Sequence, residues 1–132
     1  MDVIQYNGQN VYTHSTRGTT EIHLRGAHIE IGKIVDAYIF QLERDGGGMR
    51  KDRRADFDKT EVAEERMGLM VDVESNGAQA GVAIAGLDRI TQFLCDTQTL
   101  GKDLSVLKGR KVTAYYNPVG MGNRLLGIGI DN

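Results

Sequence analysis

The sequence predicts an α+β chain rich in strand: a small curled sheet or OB-like barrel, with one packed amphipathic helix at about 86–98 and N-terminal β-hairpins. Three observations predict it. Asn-Gly pairs at Asn7-Gly8 and Asn76-Gly77 each sit between short alternating runs, the strongest local hairpin signal, because both residues tolerate positive φ. Seventeen glycines accompany a single proline, which suits tight turns between strands rather than a disordered composition. Only "GLDRITQFLCDTQ" carries a long helical stripe, with Leu87, Ile90, Phe93 and Leu94 on one face.

The elements follow in chain order. "VIQYNGQNVY" is a hairpin, and "VYTHSTRGTTEIHLRG", β-branched and turning at Arg17-Gly18, suggests a second. Together they make 1–26 an N-terminal extension that covers a sheet edge or mediates self-association. "AHIEIGKIVDAYIFQLE" alternates as one long bent strand, or two joined near Gly32 or Val35-Asp36, with Ile29, Ile31 and, past a kink at Gly32, Ile34 on related faces. Residues 45–57 lose all periodicity and predict a loop. "DKTEVAEERMG" predicts a short helix capped by Asp58 and Glu61 and stopped by Gly68. The charged segment 45–66 is therefore an insertion of loop and short helix.

"MGLMVDVESNGAQAGVAIAG" is the clearest hairpin, with Leu69, Val71 and Val73 on one face. After the helix, "GKDLSVLKG" adds a turn with Leu104 and Leu107 buried. "RKVTAYYNPVGMGNRLLGIGI" closes the chain as a hairpin, with Val112, Ala114 and Tyr116 facing one side and Thr113 and Tyr115 the other. Five strands and a helix from about Ile29 onward match the strand order of an OB-like barrel. At 132 residues the chain is one domain.

Composition excludes several function classes. A net charge of −2 supplies no global basic field for strong non-specific duplex binding. Cys95 is the one cysteine, so no internal disulfide and no CxxC metal site exist. It is read as a small buried hydrophobe of the helix. No apolar run reaches transmembrane length and no signal peptide is visible, so a cytoplasmic protein is expected.

The densest positive charge is "GGGMRKDRR", where Arg50, Lys51, Arg53 and Arg54 follow three glycines. Glycine lets backbone approach a phosphate, and arginine offers a planar fork for two oxygens. The order matches neither GxxxxGK[ST] nor GxGxxG. Glu61, Glu64 and Glu65 lack the spacing of a Nudix metal helix, so no metal is expected. His14, His23 and His28 form no paired catalytic motif, and Ser15, Ser75 and Ser105 sit in no GxSxG elbow. No catalytic residue and no cofactor are expected. Tyr38, Phe40, Tyr115 and Tyr116 lie on predicted strands, where rings beside basic residues make a stacking platform for bases. Alternation puts Tyr115 and Tyr116 on opposite faces, so one of them is expected at the surface. Arg110, Lys111 and Arg124 flank that hairpin.

The ending "LSVLKGRKVTAYYNPVGMGNRLLGIGI" pairs an apolar helix with a lysine-glycine-basic-x-valine strand and a closing Leu-x-Gly-Ile strand. Over residues 85–130 it resembles the ends of small phage or prophage OB-like, β-rich proteins, most without known activity. The resemblance implies a phage-like origin, a β-rich fold and a host-cell cytoplasmic setting, and it carries over no catalytic residue. The expected function is a non-enzymatic binding protein for an anionic ligand: a nucleotide, cyclic nucleotide or single-stranded nucleic acid, with sequestration of a host defence signal one use. Arg50, Lys51, Arg53, Arg54 and Arg124 would neutralise phosphate, and Tyr115 or Tyr116 would stack a base. The alternative is a module that docks on a host protein, and the third a small metal-dependent hydrolase using the acidic segment. A homo-oligomer is compatible with the open sheet edges.

Overall fold

A computed structural model describes residues 3–14, 21–42, 49–55, 67–117 and 125–131, with backbone alone for 41–42, 49–55 and 67. The chain runs β1 (Val3–Tyr6), β2 (Gln9–Thr13), α1 (Glu21–Arg25), β3 (His28–Leu42), β4 (Met49–Ala55), β5 (Met67–Ser75), β6 (Ala78–Ala85), α2 (Leu87–Asp96), a 3-10 turn (Leu104–Leu107), β7 (Lys111–Tyr116) and β8 (Leu125–Asp131). All pairings are antiparallel, in the order β1-β2-β8-β7-β3-β5-β6, with β4 added to β3. The sheet curls until β6 approaches β2 and β8, and the Ala83 N–H reaches His14 Nδ1 at 3.3 Å. No strand pairing closes the curl among the described residues, so the sheet is open and the barrel alternative does not hold.

Local chemistry explains the turns. Asn7 and Gly8 have φ of 53° and 71°, and Asn76 and Gly77 have 49° and 80°. Both central residues are left-handed, the type I′ geometry that matches strand twist. The long strand bends where register slips between Ile34 and Asp36, a bulge that leaves Val35 as the extra residue. Because the kink is there and not at Gly32, Ile34 faces the core while Ile29 and Ile31 face outward, 46% and 70% exposed.

The concave face holds the main core. Val71, Val73, Val82, Ile84, Ile34, Val112 and Tyr116 meet Ile90, Phe93 and Leu94 of α2 there. Phe93 stands edge-on to Tyr12 at 5.1 Å and 89°. The convex face is partly covered as well. Val11, Leu24 and Tyr115 form a second cluster with Ile4, Tyr6 and Leu126 beside it. Phe40, Met70 and Ala83 form a third.

Several expectations change. Glu21–Arg25 is helical and not a strand of a second hairpin. One turn drops Leu24 onto the Val11–Tyr115 cluster, and Glu21 and Arg25 pair across it at 3.6 Å; packing overrides local strand preference here. Met49–Ala55 is a strand on β3 rather than a loop, since backbone pairing needs no apolar alternation. Gly68 stops no helix but lies within β5, opposite Phe40. Cys95 is exposed, because Ile90, Phe93 and Leu94 take the inner face of α2. The expected helix at 58–66, the glycines Gly46–Gly48 and Arg124 lie outside the described residues.

Candidate anion site

The structure separates the residues that the sequence grouped. Arg50, Lys51, Arg53 and Arg54 all lie on β4, whose backbone pairs Arg50 with Gln41 and Ala55 with Ile39. Tyr115 and Tyr116 do face opposite ways, yet both are buried, at 0% and 4% exposure. The expectation of one surface ring fails because α1 and β1 cover the convex face. Tyr115 OH donates to Gln9 Oε1 at 2.6 Å, and burial pushes its pKa up. Tyr116 OH shares a short hydrogen bond with Ser75 Oγ. Neither ring offers a free face to a base. Of the four strand aromatics, Tyr38 alone keeps part of its surface, against the third cluster.

The histidines stay dispersed. His28 Nε2 meets Glu30 Oε2 at 2.8 Å, and Glu30 Oε1 accepts from Asn76 Nδ2 at 2.9 Å. His14 faces β6, and His23 is exposed on α1. Among the described residues no three His, Cys, Asp or Glu side chains are placed to hold a metal, and no helix is long and apolar enough to cross a membrane.

A different set of cations converges beyond the last turn of α2. An open cleft of about 430 Å³ is lined by Thr97, Gln98, Thr99, Lys102, Val106, Lys108, Gly109 and Arg110. Among the described residues, three positive side chains line it and no carboxylate does. Its walls are fixed by backbone. The Thr97, Gln98 and Thr99 N–H groups return to the carbonyls of Phe93, Cys95 and Leu94 at 3.0, 3.0 and 2.7 Å. Thr97 Oγ1 adds a bond to Phe93 O at 2.8 Å. These bonds quench the negative end of the helix, which would otherwise oppose an anion.

The other wall is stitched to the middle of β3. Gly109 N–H donates to Ile34 O at 2.7 Å, and Ile34 N–H donates to Arg110 O at 2.9 Å. Gly109 has φ +86°, a conformation that glycine adopts without strain and that sets Lys108 and Arg110 on either side of the turn. Asp103, next to Lys102 in sequence, does not line the cleft. Its Oδ1 accepts from Ser105 N–H at 2.8 Å, and the bonds from Ser105 hold its carboxyl below the usual range. Arg110 is half-buried, and its Nε is shut off from solvent with no hydrogen-bond partner among the described residues.

No family model, curated protein or solved structure matches this chain.

Lys102 and Lys108 escaped the sequence reading because each stands alone in a turn without periodicity. Only the fold brings the 97–102 segment against 106–110. The signal available was "LGKDLSVLKGR", two glycine turns each beside a lysine.

Proposed function

We propose that the protein is a non-enzymatic binder of a phosphate-bearing anion, a nucleotide or single-stranded nucleic acid, seated at the Lys102–Lys108–Arg110 cleft. The observation that carries this reading is the Arg110 Nε–H, buried in the wall of a cleft where, among the described residues, it has no partner and stands with two further cations and no carboxylate. A buried donor without an acceptor costs about 1–3 kcal/mol, and a ligand oxygen would remove that cost. Lys102 and Lys108 would supply mobile ammonium groups and Arg110 the oriented fork. Val106, half exposed beside them, would meet an apolar part of the ligand. Sequestration of a host defence nucleotide is the setting that the phage-like ending suggests.

Native mass spectrometry and calorimetry at low salt test this with inorganic phosphate, AMP, ATP, cyclic AMP and oligo-dT. At least one probe is expected to bind, and Lys102→Gln with Lys108→Gln to weaken it roughly tenfold or more, as for lost charge-assisted contacts. Absence of binding by every probe to the unmodified protein ends the proposal.

The second reading, a docking module, has one observation behind it: Ile29 and Ile31 stand exposed two residues apart on one face of β3. Ile31→Lys would abolish capture of a protein partner and leave phosphate-probe binding intact.

A further inference from the structure

We infer that the cleft takes a terminal phosphate monoester, the dianionic end of a nucleotide, and discriminates against the phosphodiester of a cyclic nucleotide or a chain interior. This rests on the cleft being an anion site and adds the class of phosphate it admits. The fold commits almost every neutral donor there. All eight lining residues give their backbone N–H to a carbonyl. Those of Thr97, Gln98 and Thr99 return to α2, and that of Gly109 goes to Ile34 O. The N–H groups of Lys102, Val106, Lys108 and Arg110 reach Thr99 O, Asp103 O, Ser105 O and Leu107 O at 2.9, 3.1, 3.2 and 3.1 Å. The two threonine hydroxyls are committed as well. Thr97 Oγ1 donates to Phe93 O at 2.8 Å, and Thr99 Oγ1 to Thr97 O at 3.2 Å.

Among the described residues, the cleft therefore offers an anion no main-chain nest. A nest or a helix N-terminus holds an anion with neutral N–H groups at fixed positions, and one negative charge suffices for it. Here the donors left over, among the described residues, are the side chains of Lys102, Lys108 and Arg110 and the exposed amide of Gln98. All but the amide are cations. Such a site reads the charge of its ligand and the number of its free oxygens.

The two kinds of phosphate differ in both. A diester carries one negative charge and two unesterified oxygens. A monoester carries about −1.5 to −2 at pH 7, with a second pKa of about 6, and has three such oxygens. The Arg110 guanidinium is a planar fork that fills two oxygens. On a diester this leaves Lys102 and Lys108 facing esterified oxygens, which are weak acceptors. On a monoester the third oxygen and the second charge fall to the lysines. The cleft volume of about 430 Å³ lies low in the ~300–1,000 Å³ range of small-molecule sites. One nucleotide suits that size, with Val106 against its apolar part and the Gln98 amide for a base edge. A free mononucleotide and the phosphorylated end of an oligonucleotide both supply this chemistry.

The test is calorimetry on the full chain at low salt with inorganic phosphate, AMP, cyclic AMP, and short oligo-dT with and without a 5′ phosphate. At pH 7.5 AMP should bind roughly tenfold tighter than cyclic AMP or better, the factor for one further charge beside exposed cations. A gain for AMP alone supports the inference with a mononucleotide as the source. An equal gain from the 5′ phosphate of oligo-dT supports it with an oligonucleotide end as well. At pH 5 the monoester falls to about one charge, and the preference for AMP should collapse. No histidine or carboxylate lines the cleft among the described residues. The neighbouring Asp103 carboxyl is held below its usual range by the bonds from Ser105, so the group that titrates is the ligand's. Lys102→Gln with Lys108→Gln should weaken AMP by roughly tenfold and cyclic AMP less. Arg110→Lys should weaken both, since both give two oxygens to the fork. Equal affinity for AMP and cyclic AMP at pH 7.5 overturns the inference and leaves the cleft as a general anion site. So does a preference for AMP that persists unchanged at pH 5 or in the folded Lys102→Gln, Lys108→Gln variant. Failure of inorganic phosphate and of every nucleotide to bind the unmodified protein overturns the cleft itself.

Discussion

Helix α2 carries two polar regions that behave in opposite ways. Along its body, the seam with β2 is held by hydrogen bonds inside the fold. Asp96 accepts from Asn10 Nδ2 at 2.7 Å, from Gln92 Nε2 at 2.9 Å and, in a short hydrogen bond, from Tyr12 OH. Arg89, buried, gives Nη2 to Thr13 O at 2.7 Å. One turn further, the cleft gathers Lys102, Lys108 and Arg110 and leaves the Arg110 Nε–H without a partner among the described residues. Both regions are polar, and both lie where α2 meets a neighbouring segment. Polar groups here sort by role. A polar group whose partners are all supplied by the fold stabilises the fold. A cation positioned by rigid backbone and denied a partner is positioned for something that arrives from outside.

Breaking the seam should give the largest effect. Asp96→Ala leaves the donors of Tyr12, Asn10 and Gln92 without their shared acceptor at once. A loss of about 2 kcal/mol is expected for this part-buried network, read as a lower midpoint in urea unfolding. Binding per folded molecule should not change. If Asp96→Ala weakens anion binding while stability holds, the sorting above is wrong and the seam belongs to the site.

The two arginines sharpen the contrast. Arg89→Met removes a charge-assisted bond from a buried position and should cost about 2 kcal/mol. Arg110→Met replaces a half-buried guanidinium by an apolar chain of similar reach. It should be neutral within about 0.5 kcal/mol, or slightly stabilising, because an unpaired buried donor disappears. The same change should cost at least tenfold in phosphate binding. Equal destabilisation by the two variants would mean that Arg110 is a structural residue.

The same distinction explains what could be read in the sequence. The Asn-Gly hairpins, the bulge region at Val35-Asp36 and the Leu87–Leu94 stripe were legible because each is set by neighbours in the chain. Leu69, Val71 and Val73 were legible as core because strand alternation is local too. The burial of Tyr115 was not, since it depends on Leu24 arriving from a helix that β-branched neighbours disguise as strand. β4 was not, since a charge run without alternation reads as a loop until a partner margin is known. The cleft was least legible of all. Its lysines lie in turns, its arginine begins a strand, and nothing local marks any of them as neighbours. The seam was equally hidden: no spacing in the sequence announces that Tyr12 and Asp96 meet across 84 positions.

The smallest effect expected is one of pH, and it isolates a single bond of the seam. Burial, then the hydrogen bond to Asp96 and the charge beside it, push the Tyr12 pKa well above its ordinary value. The unfolded chain keeps that ordinary value, near 10. Below pH 10 the phenol is protonated in both states and contributes no pH dependence. Above it the unfolded chain releases the proton and the folded chain holds it, so folding stability must fall as pH rises. Tyr115, also raised by burial, acts in the same direction. Urea midpoints measured from pH 8 to 11 should therefore decline, and Tyr12→Phe should flatten part of the decline while lowering the midpoint at pH 8 by the loss of one hydrogen bond. Tyr115→Phe should flatten the remainder. A decline that survives both tyrosine variants but disappears in Lys102→Gln, Lys108→Gln would place the coupling in the cleft and reverse the assignment of the two regions.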